Sequence, residues 1–244
     1  MILLAAAGIT YVLVAGAPGH PARLGHRARP AAVKQVRPPV RAAATPAAHP
    51  SPALGLWGHI ASRKIDPSPL TLPELFPSQF ASGGTSYRLM IARESPKCAA
   101  AVIGAGLQKA IQRAGCSQVL RGSYLAADRQ LMGTIGVMNL RSYSQAETAG
   151  KQAGRAQFIA QLPSARGLTS KLGGGPAGDG AGIVEGVTKG HYLILVWGQF
   201  TSLRPPRTAS QRAEVLSFLR AVISGTANVD LTRRLLTGSP GPAP

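Results

Sequence analysis

The cysteines, histidines and carboxylates are the side chains of this sequence that could perform chemistry, and their spacing brings few of them together. Cys98 and Cys116 are too few for a four-cysteine zinc site, and neither lies in a known nucleophile signature. Four of the five histidines precede Ile60, and His191 stands alone in the second half of the chain. We therefore predict no catalytic, metal-binding or cofactor-binding residues and a protein that is not an enzyme.

The alternative to a non-enzymatic protein is an enzyme that uses the carboxylates and the glycine-rich stretch. General acid–base catalysis needs convergent groups with perturbed pKa values. An unrecognised envelope enzyme acting on wall or lipid material would place Glu185 and His191 near the glycine-rich stretch 172–182. Glycines can present backbone N–H groups to a phosphate, but a P-loop is followed by Lys and by a helix. Here Lys171 comes before the glycines and a strand comes after, so we predict a mobile surface loop.

The two cysteines set a geometric problem. The apolar pattern after Ser95 and Pro96 predicts a helix that ends at Gly115. An unbroken helix would hold Cys98 and Cys116 about 27 Å apart, whereas a disulfide needs Cα atoms within about 7 Å. Gly104 and Gly106 could interrupt the helix, and an even cysteine count outside the cytoplasm favours a bridge. An internal Cys98–Cys116 disulfide, buried thiols and pairing between chains all stay open.

Hydrophobic periodicity predicts the remaining elements. A capping box at Ser144–Glu147 predicts a helix that runs to Pro163, and Ser210 caps a helix that ends at Gly225. Short loops at 127–129 and 188–190 predict two hairpins. The predicted strands are 87–92, 117–126, 130–140, 182–187 and 191–200, and the last helix is 228–236.

This order of elements predicts an α+β fold with one antiparallel sheet of about five strands. The repeated strand–helix–strand pattern indicates a ferredoxin-like split β-α-β order, with the helices packed mainly on one face. The run from Tyr192 to Trp197 is apolar on both faces, so we expect this strand to be central and covered.

The first seventeen residues form a separate segment without any charged side chain. Their length suits a short membrane anchor, which is our first expectation, or the core of a signal peptide cleaved at 15–17. A soluble helix is the remaining alternative. Arg23 and Arg27 follow this segment and no basic residue precedes it, which by the positive-inside rule would hold the rest in the cytoplasm. A start further upstream, with a basic head, would remove the conflict.

The rest of the chain divides by composition. Residues 18–55 are rich in Pro, Ala and Arg, which predicts a disordered tether. Residues 56–83 carry four prolines among apolar side chains, which favours an extended strap lying on the folded domain. That domain is predicted to span 84–238, and 239–244 form a tail.

The charge is strongly basic throughout, with 27 Lys and Arg against 9 Asp and Glu. Residues 18–83 hold eight basic and two acidic residues, and 84–244 hold nineteen and seven. This balance argues against an acidic calcium binder. A basic domain passes the first test for nucleic-acid binding, but the low aromatic content and missing motifs argue against it. Cell-wall polymers or lipid headgroups are the expected anionic partners, unless the charge serves solubility alone.

Six stretches resemble a family of uncharacterised, membrane-anchored actinobacterial proteins. These stretches are Trp57–Ile60, Leu70–Pro77, Gly115–Arg121, Met132–Leu140, Lys189–Leu195 and Leu231–Arg234. The resemblance implies a single apolar anchor, a Pro/Ala-rich tether and an extracytoplasmic domain, and it brings no known activity. We therefore expect a non-enzymatic extracytoplasmic module on a membrane tether, at the cell membrane or secreted after cleavage. It would bind an envelope component or a partner protein; an envelope enzyme and a basic nucleic-acid binder are the alternatives.

Overall fold

A computed structural model describes residues 55–154, 156–164 and 182–240 of the chain. The predicted anchor at 1–17, nearly all of the predicted tether and most of the glycine-rich stretch lie outside these residues. In the described part, no helix is both long and apolar enough to cross a membrane.

Five α-helices and eight strands are defined in the described residues. The helices are α1 (Leu72–Leu75), α2 (Ala105–Arg113), α3 (Tyr143–Gly150), α4 (Ala209–Gly225) and α5 (Ala227–Thr237). The strands are β1 (Gln79–Ser82), β2 (Thr85–Glu94), β3 (Val102–Ile103), β4 (Gln118–Ala126), β5 (Leu131–Asn139), β6 (Phe158–Ile159), β7 (Gly182–Lys189) and β8 (Tyr192–Phe200). Short 3-10 helices span Gly58–Ile60 and Cys98–Ala101.

Six strands form one antiparallel sheet in the order β1-β2-β4-β5-β8-β7, and β3 pairs separately with β6. The α+β class and the antiparallel sheet are confirmed. The sheet gains a sixth strand because β1, inside the predicted strap, pairs with β2. The ferredoxin-like order is not confirmed: β4 runs back directly along β2, with Tyr87 opposite Ala126 and Glu94 opposite Leu120.

Helices pack on both faces of the sheet, so the prediction that they lie mainly on one face is wrong. The physical reason is β8, which lies between β5 and β7 and is apolar on both sides. Tyr192, Ile194 and Val196 pack with α4 and α5. Leu193, Leu195 and Trp197 pack with α2 and α3. Each apolar face of a central strand needs its own cover.

The helix predicted to begin at Pro96, with Ser95 as its cap, begins nine residues later, at Ala105. Cys98–Ala101 form a 3-10 helix, β3 follows, and α2 starts after Gly104, whose φ is +96°. Glycine adopts this backbone conformation without strain, which explains the break. The break brings the Cα atoms of Cys98 and Cys116 within 6.3 Å, and the structure joins the two residues in a disulfide. The internal bridge is thus the alternative that the structure contains.

Two other helix boundaries differ from the predictions. The helix α3 begins after Ser142 without a side-chain cap and ends at Gly150, well before Pro163. The chain beyond it turns into β6, because Ile159 packs in the core next to Gly136 of β5. The cap of α4 is Thr208, which forms a capping box with Gln211, rather than Ser210.

The predicted strap belongs to the core of the folded unit. Ile60, Leu70 and Leu75 are fully or almost fully buried in the cluster that also contains α4 and α5. Its prolines keep helical structure short, as α1 shows with only four residues. The strap therefore supplies one wall of the structure, and its contacts with α5 position the site described next.

Candidate functional site

A fully buried arginine joins the strap to α5. Arg234 is 1% exposed, and each of its N–H groups has an acceptor on the strap. Its Nε and Nη2 donate to the two carboxylate oxygens of Glu74 at 2.5 and 2.9 Å. Its Nη1 donates to Asp66 Oδ1 and Ser68 O, and Nη2 also donates to Pro69 O, each at 3.0 Å. The guanidinium is thus completely satisfied.

Tyr192 of β8 completes this arrangement, which we call the Arg234 clasp (Asp66, Glu74, Tyr192 and Arg234). The Tyr192 hydroxyl donates to Asp66 Oδ2 at 2.6 Å. Burial, and then the bond to Asp66, raises the pKa of Tyr192. Burial alone would lower the pKa of Arg234, but its hydrogen bonds to Glu74 and the nearby negative charges raise it overall. Both carboxylates have both oxygens bonded, so the clasp holds the strap in place and leaves no oxygen free for acid–base chemistry.

A second buried cation lies at the end of β7. The Lys189 ammonium donates to the backbone oxygen of Asn228 at 3.1 Å, to Asn228 Oδ1 at 2.6 Å and to Thr232 Oγ1. No carboxylate in the described residues pairs with it. Burial lowers the pKa of Lys189 to about 8. Lys189 therefore ties the β7–β8 turn to α5 at a cost in desolvation.

His191 follows in the same turn and is fully buried. Its backbone N–H and its Nδ1 both donate to the carbonyl of Ile60, at 2.8 and 2.9 Å. A carbonyl only accepts, so Nδ1 carries the proton and Nε2 is left as an acceptor, without a partner among the described residues. Burial, the largest effect, lowers the pKa of His191. The structure therefore places His191 in a structural role at the strap.

Of the alternative enzyme's residues, Glu185 and His191 are described in the structure, and they are not brought together. Glu185 forms an ion pair with Arg220 of α4 at 3.5 Å, and in the sheet it is opposite Val196. Lys189 is opposite Tyr192, next to His191. At about 3.3 Å per strand residue, Glu185 lies roughly 13 Å along the hairpin from that end. Across the described ranges, no group of three or more His, Cys, Asp or Glu side chains could hold a metal ion.

A groove opens between the strap, β2 and the α4–α5 junction. Its volume is about 610 Å³. Its walls are formed mainly by apolar side chains, among them Leu72, Phe76, Leu89 and Val229. We call this the α1–α5 groove. Its lining residues are Leu72, Pro73, Glu74, Phe76, Pro77, Ser78, Leu89, Ala92, Gly225, Val229, Asp230 and Arg233.

Two charged side chains at the rim of the α1–α5 groove can meet a ligand. Arg233 Nη1 donates to Asp230 Oδ1 at 2.9 Å, and its other N–H groups have no acceptor in the described part of the chain. Burial raises the pKa of Asp230, and the charge of Arg233 opposes this shift. Glu74 also lines the groove, but the clasp occupies both of its oxygens. The groove thus combines apolar walls with one cation and one carboxylate.

The Arg234 clasp and the α1–α5 groove both depend on residues of α1 and α5. Arg233 and Arg234 are neighbours on α5, and the first faces the groove whereas the second is buried against Glu74. Glu74 lies on α1, which is the opposite wall. The ion pair between Arg234 and Glu74 therefore fixes the separation of the two walls, and with it the shape of the groove.

Neither the clasp nor the groove was predicted from the sequence. Two of the resembling stretches, Leu70–Pro77 and Leu231–Arg234, supply seven of the fifteen residues of the clasp and the groove, but nothing in either stretch indicates that they meet. Glu74 and Arg234 are 160 residues apart, and no local sequence pattern indicates that they pair. No family model, no curated protein and no solved structure matches the chain, so the site rests on its own geometry.

Proposed function

We propose that the folded unit is a non-catalytic binding module that works outside the cytoplasm, and that the α1–α5 groove is its ligand site. The observation that carries this proposal is the groove itself. Ligand sites are typically concave, about 300–1,000 Å³ in volume, and mostly apolar with a few polar groups. At about 610 Å³, with Asp230 and Arg233 as its available charged groups, the groove fits this description.

The buried ionisable groups support a binding role over a catalytic one. The Arg234 guanidinium forms ion pairs with the carboxylates of Asp66 and Glu74. The Lys189 ammonium donates three hydrogen bonds to α5. Catalytic acids and bases instead face the reacting groups with a proton or lone pair available. These buried charged groups therefore hold the strap and the β7–β8 turn against α5, and the strap and α5 form walls of the groove.

The Cys98–Cys116 disulfide supports a location outside the cytoplasm. Disulfides persist in oxidising compartments and are rare where thiols are kept reduced. An apolar leader at 1–17 and the resemblance to membrane-anchored proteins agree with this location. The ligand is then a component of the cell envelope, and the module is held at the membrane or released after cleavage of the leader.

Site-specific photo-crosslinking in living cells tests this proposal on the full chain. A benzophenone amino acid replaces Val229, which lines the groove and is 48% exposed. The matched control replaces Leu236, which is on the same helix, 72% exposed and outside the groove. We expect a discrete adduct at Val229 and none at Leu236. Equal labelling at the two positions, or no adduct at Val229, would contradict the proposal.

A further inference from the structure

We propose that the α1–α5 groove binds an anionic phospholipid: one acyl chain lies along the groove, its phosphate pairs with Arg233, and a headgroup hydroxyl donates to Asp230. This inference rests on the proposed function and names the ligand class of the same site. It is carried by the chemistry of the walls and by the pair of charges at the rim.

The rim selects a headgroup that has both an acceptor and a donor. Arg233 presents guanidinium N–H groups without acceptors in the described residues, and such groups match phosphate oxygens in pairs. Asp230 lies beside it and accepts only from Arg233 among the described residues, so one carboxylate oxygen is available for a hydroxyl. A fatty-acid carboxylate would satisfy Arg233 but would face Asp230 as a like charge. A phosphate that carries a glycerol satisfies both side chains.

The walls suit a hydrocarbon chain. Along one side β2 is paired with β4, and along the other side β1 pairs with it over Thr85–Arg88 only. A bound peptide strand would need the edge of β2 beyond Leu89 for its main-chain hydrogen bonds. The amide of Leu89 is bonded to the carbonyl of Ser78 at 2.9 Å. An acyl chain needs no hydrogen bonds, and apolar contact with Leu72, Phe76 and Val229 is sufficient for it.

The net positive charge of residues 84–244 also favours an anionic lipid. Residues 84–244 carry nineteen basic and seven acidic side chains. Juxtamembrane basic residues are attracted to anionic lipid surfaces, and the attraction weakens with salt. This excess brings the module to the surface where such a lipid is present, and the groove then selects one molecule.

The test uses the full-length chain in phosphatidylcholine vesicles that contain a small fraction of lipid with a photoreactive acyl chain. One arm uses phosphatidylglycerol and the other phosphatidylcholine as the photoreactive lipid. We expect phosphatidylglycerol to label the peptides around 72–78 and 229–233 at least fivefold more than phosphatidylcholine does. Arg233→Gln should remove this preference, whereas Arg220→Gln, which removes an exposed cation outside the groove, should keep it.

Equal labelling by the two lipids, or an Arg233→Gln variant that keeps the preference, would overturn the lipid assignment. An intact Cys98–Cys116 bridge and an unchanged circular dichroism spectrum verify that each variant is folded. If Val229 captures a protein or a wall polymer in cells while both vesicle arms leave the groove unlabelled, the lipid assignment fails and the binding function stands. If Val229 captures nothing in cells either, both proposals fail.

Discussion

At the scale of single residues, we expect the stability of the fold to depend strongly on Arg234. Its guanidinium is buried with two carboxylates, and replacement of one member of such a group leaves charges buried without a partner. We expect Arg234→Met to lower the free energy of unfolding by about 3–5 kcal/mol. Chemical denaturation measures this loss. Arg220→Met is the control, since its exposed ion pair with Glu185 is worth at most about 1 kcal/mol. Similar losses in the two variants would contradict the account.

Lys189 predicts how stability depends on pH. Its pKa is about 8 in the folded protein and 10.5 as the ordinary value, so between these limits the unfolded chain binds the additional proton. Stability therefore rises with pH in this window, by up to about 3 kcal/mol. Denaturation curves at pH 7.5, 9 and 10.5 measure the rise. Lys189→Met should abolish it, and Lys151→Met, an exposed lysine, should leave it intact. A wild-type curve without any rise would show that Lys189 is not desolvated.

Single residues were predictable from the sequence only where they stand out in composition. His191 stands alone in the sequence and was not selected as a catalytic residue, and in the structure its Nδ1 donates to the carbonyl of Ile60. The sequence could not show that Asp66, Glu74 and Arg234 interact, because their contacts form only when folding joins residues up to 168 positions apart.

At the scale of elements, the start of α4 offers a direct comparison of two caps. Thr208 accepts a hydrogen bond from the amide of Gln211 at 3.2 Å and is the cap in the structure, whereas Ser210 lies inside the helix. We expect Thr208→Ala to reduce the free energy of unfolding by about 1 kcal/mol and Ser210→Ala to change it by less than about 0.5 kcal/mol. Thermal unfolding of both variants measures this difference. The opposite ranking would place the cap at Ser210.

The disulfide defines a second element-scale prediction. It closes a segment of 18 residues that contains β3 and α2. Loop entropy predicts that replacing Cys98 and Cys116 together with Ser lowers the free energy of unfolding by about 3 kcal/mol. A reducing agent should produce the same loss in the wild-type protein and none in the double variant. Wild-type protein that does not respond to the reductant would indicate that the bridge does not form.

Elements defined by local patterns were predicted well, and those defined by distant contacts were not. The hairpins β4–β5 and β7–β8 and the helices α4 and α5 follow from periodicity and from short turns. The late start of α2 depends on the positive φ of Gly104. The early end of α3 depends on β6, whose Ile159 packs beside Gly136 of a distant strand. Local periodicity therefore predicts neither the start of α2 nor the end of α3.

At the scale of the whole molecule, the sheet is enclosed by helices on both faces, and the strap takes part in one of the two cores. The fold class followed from the sequence because it depends on the order of the elements. The strand order did not, because several orders satisfy the same sequence of elements. The groove follows from this arrangement, since it forms where the strap, the sheet and α5 converge.

We propose that this folded unit works outside the cytoplasm, and a reporter fused to the C-terminus of the full chain tests that location. The reporter is an enzyme that becomes active only in an oxidising compartment. We expect strong activity for the full chain and loss of that activity when residues 1–17 are deleted. An inactive but full-length fusion, with Cys98 and Cys116 recovered as free thiols from the cytosol, would contradict it.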